Sequence, residues 1–219
     1  MKTIADALSY PIRGSGKYML FWGAVLTIIG HFASLAPLFG FFSWIFISAY
    51  FCATYFSIVE TTAVGQASAP QFPDVSNILE DLLFPLCKVI SLIVLCLAPY
   101  LVLVFLQNGK DAPLSDFFFY LGIFYFPMAT LAVIVLGHLT AFMPQIVFPA
   151  IFRAGWSYLI AVVFLLAIYY LKLLLAAVFE GFPFFGALIM GLVGMFVMMA
   201  GARMLGLIYR EHEEELNWL

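Results

Sequence analysis

Charged side chains are scarce in this sequence. Asp, Glu, Lys and Arg make up 10% of its 219 residues, against 65% hydrophobic residues. A soluble domain is about a quarter charged and about half apolar, so this chain has too little polar surface to coat a soluble globule. The net charge of −3 and the lack of any basic cluster also argue against a nucleic-acid partner. The composition therefore indicates an integral membrane protein.

Cysteine and catalytic motifs are sparse as well. Cys52, Cys87 and Cys96 lie in or beside apolar runs, without CxxC or Cys/His spacing. Such a pattern is typical of small apolar packing residues rather than of a disulfide or a metal site. No Walker loop, GxSxG elbow or HExxH motif is present. The sequence predicts no catalytic residue, no cofactor and no metal, so we do not expect an enzyme.

The chain does have long hydrophobic stretches. About 20 apolar residues in a helix cross the roughly 30 Å of bilayer hydrocarbon. Six runs qualify, and none alternates as the strands of a barrel do. We therefore predict a single all-α transmembrane domain, a polytopic protein with about six spanning helices and short interfacial helices. The predicted spans are Tyr18–Ala36, Leu38–Val59, Leu86–Leu106, Phe117–Phe142, Trp156–Phe179 and Phe182–Leu207.

The basic residues predict an orientation. With six spans, most of them fall on the side of the two termini, and Lys110 alone clearly falls on the other. Loops rich in Lys and Arg face the cytoplasm, so both termini are expected to be cytoplasmic. The residues on the terminal side are Lys2, Arg13, Lys17, Lys88, Arg153, Arg203 and Arg210.

Two segments outside the spans are amphipathic. Residues 1–17 predict an interfacial helix before the first span, and residues 71–85 predict a second one that ends before Pro85. Asp74, Glu80 and Asp81 occupy the polar side of the second segment. Their acidic face is either a solvated connector surface or a docking face for a basic partner, since anionic lipids would repel it.

Two further segments interrupt or end the pattern. Residues 142–155 contain Pro144 and Pro149, each of which removes a backbone donor, so we expect a proline-broken connector rather than a regular helix. In lipid its freed carbonyls must face protein, water or the interface. Residues 208–219 predict an acidic, solvated C-terminal tail with Trp218 as an interfacial anchor.

Isolated polar residues inside apolar runs are candidates for function, because they are costly in lipid. His31 and His138 fall at opposite predicted depths, which argues against a shared metal, and interhelical hydrogen bonds are the simpler expectation. Lys172 is expected to snorkel to the interface. Arg203 is expected to emerge among lipid phosphates. The candidates are His31, His138, Lys172, Glu180 and Arg203.

The last predicted span carries many small residues, which let helices approach closely. Gly186, Gly191, Gly194 and Gly201 recur along it. We expect this helix to be central in the bundle rather than lipid-facing.

Several short stretches, in order along the chain, resemble bacterial polytopic membrane proteins related to the Yip family. They are "DALSYP", "VETTAVGQASAPQFPD", "ILEDLLFP", "YFPMATLAV", "MPQIVFPAIFR" and "ARMLGLIYREHEEELNW". The resemblance implies a compact helical domain in the bacterial inner membrane and carries over no catalytic residue. Yip proteins bind small GTPases, but this chain lacks their long cytoplasmic N-terminal region.

Two functions remain open from the sequence. The leading hypothesis is a non-enzymatic membrane module, such as a scaffold, adaptor or accessory subunit, with the lipid bilayer and either protein partners or further copies of itself as its contacts. The alternative is a small transporter or channel that uses the proline-broken segment between spans four and five.

Overall fold

The computed structural model describes residues 2–73, 77–106, 113–179, 182–216 and 218. All regular structure in these ranges is helical, which confirms the predicted all-α fold. The helices are α1 Lys2–Ser9, α2 Gly16–Ala33, α3 Pro37–Ala63, α4 Phe84–Leu106, α5 Pro113–Leu136, α6 Pro144–Phe179, α7 Pro183–Glu211 and α8 Glu213–Leu216. Single turns of 3-10 helix cover Tyr10–Ile12 and Leu139–Phe142, and a π-helical turn covers Ile78–Leu83.

Five described helices are long and apolar enough to cross a membrane. The chain is therefore a polytopic helical membrane protein. Helix α2, which corresponds to the first predicted span, has 18 residues and is not among the five, because its apolar stretch includes Lys17 and His31. A sixth crossing by α2 stays a prediction. The five are Pro37–Ala63, Ile78–Leu106, Pro113–Leu136, Pro144–Phe179 and Phe185–Glu211.

Helix α7 is the centre of the bundle, as its small residues predicted. It contacts α1, α2, α3 and α6. Glycine makes two of these contacts close: a Cβ added at Gly191 would lie 3.3 Å from Cα of Ala24 in α2, and one at Gly206 would lie 2.9 Å from the carbonyl oxygen of Val59 in α3. Without side chains at these positions, the backbones of α2 and α3 approach α7 directly.

Both described chain ends lie at the same end of the bundle. Helix α1 packs on α7 beside Arg203, and α8 follows the C-terminus of α7. We call this the terminal end. The C-terminal segment is folded rather than an extended solvated tail: Leu216 is buried, Arg153 donates to its carbonyl at 3.3 Å, and Trp218 stacks on Tyr209 with ring centroids 5.9 Å apart.

The segment before α4 differs from its prediction. Residues 71–73 are irregular, and Ile78–Leu83 runs directly into α4 as a π-helical turn. Pro85 was expected to end a helix, but it lies within the continuous run from the π-helical turn into α4, directly after Phe84, whose backbone N–H bonds back five residues to the Leu79 carbonyl. Leu82 is buried against α3, whereas Leu79 is exposed.

Helix α5 ends six residues before its predicted boundary, at Leu136. Gly137 follows with φ 76°, a conformation that glycine adopts without strain, and turns the chain back along α5. The Tyr125 hydroxyl donates to the Phe142 carbonyl. Tyr125 lies about 16 Å along the axis from Leu136, and a tyrosine side chain reaches less than half that far. Residues 137–143 therefore form a re-entrant turn that doubles back inside the bundle.

The two prolines of the 142–155 segment do not break it, contrary to prediction. Pro144 is the first residue of α6, where no backbone donor is required, and Pro149 lies inside the helix. The interruption is at Gly155, with φ 48° and ψ −120°. Helix α6 thus has a short arm, 144–154, and a long arm, 156–179, joined at a glycine that supplies the left-handed conformation.

The α3–α7 contact gives a stability prediction. We expect Gly206→Ala to lower the free energy of unfolding by about 1–3 kcal/mol, because the added methyl group meets the Val59 carbonyl and the Thr62 side chain. Gly194→Ala in the same helix is the control, since its Cβ would meet only ordinary contacts at 3.9 Å. Unfolding of both variants in mixed detergent micelles measures the difference. Equal stabilities would contradict the close α3–α7 approach.

Candidate functional sites at the terminal end of the bundle

Arg203 is the most constrained polar side chain of the bundle. It lies on α7 with 4% of its surface exposed. Its Nε and one terminal nitrogen each lie 3.0 Å from the same carboxylate oxygen of Asp6 in α1. Its other terminal nitrogen donates to the Thr62 hydroxyl at 3.1 Å and to the Gln66 carbonyl at 2.7 Å. The guanidinium carbon lies 4.8 Å above the Tyr10 ring.

This geometry corrects the predicted role of Arg203. A snorkelling arginine sends its charge to the membrane surface, whereas Arg203 uses its donors inside the protein. The planar fork of guanidinium suits this use, because it holds several acceptors at fixed angles. Asp6 supplies the opposite charge and also pairs with exposed Arg13 at 3.5 Å. We call Arg203, Asp6, Tyr10, Thr62 and Gln66 the arginine hub.

Removing the arginine should detach α1. We expect Arg203→Met to destabilise the protein by about 3 kcal/mol, the low end for breaking a buried ion pair, because Asp6 keeps partial access to water. Arg210→Met is the control on an exposed residue of the same helix and should change stability by less than about 0.5 kcal/mol. Hydrogen exchange of residues 2–12 should rise only in the first variant.

A double-mutant cycle separates the ion pair from general packing. Asp6→Asn together with Arg203→Met should cost less than the sum of the two single changes. Strict additivity would show that the two side chains do not stabilise each other.

Tyr10 is the unusual member of the hub. Its ring is buried under the guanidinium, and its hydroxyl has no hydrogen-bond partner among the residues that the structure describes. Burial raises the pKa of Tyr10 from 10.0 to about 12; the Arg203 charge opposes this shift and the Asp6 charge adds to it. The neutral phenol is therefore the form that the folded hub holds.

The raised pKa of Tyr10 predicts an alkaline loss of stability. A group whose pKa is higher in the folded state stabilises the fold fully below its unfolded pKa and loses that contribution as pH rises through the folded pKa. The free energy of unfolding should therefore fall between pH 10 and 12, because the Tyr10 phenol ionises less readily in the folded state than in the unfolded state. Tyr10→Phe should flatten this part of the profile and cost little at neutral pH, because the hydroxyl it removes bonds to no group in the described part of the chain. Identical profiles for the two proteins would contradict the buried neutral phenol.

A second polar site lies beside the hub, between α3 and the beginning of α4. A cavity of about 370 Å³ is lined there by Glu60, Glu80, Asp81, Lys88 and Ser57, among others. The three carboxylates are exposed, and the Lys88 ammonium donates to the Gly137 carbonyl at 3.0 Å. We call these five residues the acidic cleft. Asp74 of the predicted docking face lies outside the described residues.

The charges of the acidic cleft favour a cationic ligand. Three carboxylates face one ammonium, and low-dielectric helix walls strengthen their field at the cleft mouth. In the described part of the chain, no group of three or more His, Cys, Asp or Glu side chains is arranged to hold a metal ion.

The two predicted histidines lie at opposite ends of the bundle. His31 is exposed near the end of α2 that joins α3, with its ring against Phe32. His138 is exposed just after α5 at the terminal end, and its Nδ1 lies 2.9 Å from the Thr140 hydroxyl. The bond of His138 is local rather than interhelical, and the separation excludes a shared ligand.

Lys172 differs from its predicted position. Its amine lies 4.0 Å from where a Cβ of Gly194 would stand, so the side chain crosses to α7 instead of extending to the helix end. Gly194 is eleven residues, about 16 Å, from the start of α7. Lys172 is half-buried there. Glu180, the candidate expected at the same membrane boundary, lies outside the described residues.

Sequence reasoning missed the residues that complete both sites. Asp6 and Glu60 were visible only as single carboxylates at the ends of apolar runs. Their partners, Arg203 and Lys88, are distant along the chain, and nothing in one sequence pairs them. Comparisons with protein-family models, with curated proteins and with solved structures found no match.

Proposed function

We propose that this membrane protein is a non-enzymatic docking module that binds a basic protein segment in the acidic cleft. The observation that carries this proposal is the convergence of Glu60 from α3 with Glu80 and Asp81 from the π-helical turn on one cavity. Residues from separate elements thus form one negatively charged surface. Such a surface increases the association rate of positively charged partners and discriminates against acidic ones.

The surroundings of the cleft support binding rather than loose solvation. Leu82 is buried against Ala49 and Ala53 of α3, which fixes the turn that carries Glu80 and Asp81. Thr62 of the arginine hub holds the end of α3, two residues beyond Glu60. The carboxylates therefore project from a fixed backbone, and the cleft loses less conformational entropy on binding a partner than a mobile tail would.

Charge reversal tests the docking proposal. We expect Glu80→Lys with Asp81→Lys to abolish recovery of the partner after cross-linking in native membranes, because like charges then face each other across the interface. Stability should change by less than about 0.5 kcal/mol, since both side chains are exposed.

The control reverses two exposed carboxylates elsewhere at the same end. Glu213→Lys with Glu214→Lys changes the net charge equally and lies on α8, away from the cleft. Partner recovery should survive it. If both double variants keep the same partners, the acidic face is only a solvated surface and the proposal fails.

A second candidate function, a small transporter or channel, draws on one observation. The re-entrant turn packs an irregular backbone with one turn of 3-10 helix against α5, a feature tolerated in a membrane where it contacts protein or lines a pathway. The turn contributes Phe142 to an apolar cavity of about 190 Å³ beside α4 and α5. Solute flux in liposomes that persists in the cleft variants and stops on Tyr125→Phe would favour this candidate.

The cellular setting belongs to the same proposal. A docking module for a basic cytoplasmic partner requires the terminal end to face the cytoplasm, as the basic residues predict. The bacterial inner membrane and the relationship to the Yip family stay predictions from the sequence. Accessibility of a cysteine introduced at position 213 in intact cells tests the orientation, and labelling from outside would reverse it.

A further inference from the structure

A lysine lies on the contact surface between α6 and α7, within the spanning part of both helices. Leu165 of α6 meets Gly201 of α7, with a terminal carbon 3.1 Å from where a Cβ would stand. Lys172, seven residues further along α6, meets Gly194, seven residues earlier in α7. The two helices are antiparallel, so Lys172 continues the line of contact that includes Leu165. We call Lys172 and Gly194 the lysine site.

The ammonium of Lys172 lies inside the hydrocarbon rather than at its edge. Lys172 is seven residues, about 10 Å, before the end of α6 at Phe179. Side chains of a helix lean toward its N-terminus, and the amine of Lys172 reaches the level of Gly194, about 16 Å from the start of α7. The amine is therefore directed away from the nearer membrane surface. A lipid phosphate at that surface would have to enter the hydrocarbon to meet it.

The charge of Lys172 has no counterpart in the part of the chain that the structure describes. No described group forms a hydrogen bond or an ion pair with its ammonium. The described carboxylates lie at the terminal end, except Asp116 in the first turn of α5, at the opposite end. A charge within a spanning segment is costly unless it is paired or faces water. The site therefore favours an anionic acceptor supplied from outside the bundle.

Gly194 gives an approaching helix access to the ammonium. Both members of the lysine site are half-buried, so part of each faces outwards from the bundle. Ala187 and Met190, the next residues of α7 toward the membrane surface, are half-buried as well. Small residues let a neighbouring helix approach closely, and polar side chains bond across such contacts in lipid. The charge beside the glycine therefore selects an acidic occupant, which an apolar surface alone would not do.

The depth of the site argues against a second copy of the chain as this occupant. Copies of one membrane protein share one orientation in the bilayer, so each places its carboxylates at the same depths. Asp116 is twenty residues, about 30 Å, from the end of α5 at Leu136. Gly194 is only twelve residues, about 18 Å, from Gly206, which meets α3 at the terminal end. We propose that the lysine site binds a spanning helix of a second membrane protein, with an Asp or Glu side chain of that helix paired with Lys172.

Model peptides test the proposal with the full chain in phosphatidylcholine vesicles. The probe is an apolar host helix of about 20 residues with one Glu at the depth of Gly194, and the reference peptide has Gln there. Energy transfer from dilute labelled peptide to labelled protein measures binding. We expect the Glu peptide to bind about tenfold more tightly than the Gln peptide, because only Glu supplies a charge for the ammonium. Equal binding of the two peptides would overturn the proposal.

Variants of the chain locate the effect. Lys172→Met removes the charge and keeps an unbranched side chain, so it should abolish the preference for Glu. Lys172→Gln replaces that variant if it fails to fold. Lys17→Met, which removes an exposed lysine at the terminal end, is the matched control and should keep the preference. A preference that survives in a folded Lys172 variant would contradict pairing at this site.

The depth of the peptide carboxylate provides an independent check. Moving the Glu six residues, about 9 Å, toward the terminal end should remove its advantage over Gln, because the ammonium no longer reaches it. An advantage that is the same at both depths would show attraction to the protein in general and would overturn the assigned site.

Two further measurements identify other occupants. Replacing half of the phosphatidylcholine by phosphatidylglycerol should leave the preference for Glu unchanged, and its loss would assign the lysine site to an anionic headgroup. Energy transfer between differently labelled copies of the chain should be the same in the native protein and in Lys172→Met. A fall in the variant would assign the site to a second copy, and either result would overturn the proposal. Charge reversal in the acidic cleft should leave peptide binding unchanged, so the two proposals fail separately.

Discussion

The attachment of the N-terminal helix to the centre of the bundle depends on the buried charge of Arg203. A guanidinium at 4% exposure is costly unless its charge and donors are satisfied. Asp6 neutralises the charge, and Thr62 and Gln66 accept hydrogen bonds from one terminal nitrogen. Because these partners come from α1, from α3 and from the chain after it, satisfying one side chain fixes three parts of the molecule against α7.

The same demand for satisfied polar groups explains the irregular backbone elsewhere. Two tyrosine hydroxyls donate to backbone carbonyls in this region: Tyr125 to Phe142, at the end of the turn after α5, and Tyr158 to Phe124, within α5. Water is absent from the hydrocarbon core, so these bonds replace those that solvent makes in a soluble protein. Glycines on α7 complete the arrangement by letting backbones approach one another closely.

These constraints leave the two ends of the bundle chemically different. At the terminal end, fixed helix ends present exposed carboxylates around a cavity. On the other half, α5 and α6 leave an apolar groove along the membrane normal. The cavity at the terminal end and the groove on the other half share no lining residue, so neither depends on the other for its geometry.

The sequence by itself determined the class of the protein. Its apolar runs are long enough to span a bilayer, and helices satisfy their backbone hydrogen bonds in lipid, so the sequence predicts an α-helical bundle. Small residues at helical spacing predicted that α7 is central in that bundle. It also identified Arg203, Glu80 and Asp81 as unusual. It did not assign their roles, because a charge near a helix end can face lipid phosphates, water or another side chain, and local pattern is the same in each case. Only the tertiary structure placed Asp6 against Arg203, Glu60 on the same cavity as Glu80, and Phe142 back along α5. Each of these arrangements joins residues far apart in sequence or depends on the direction of one turn, such as that at Gly137. Hydrophobic periodicity carries no information on long-range pairing or on the direction of a turn.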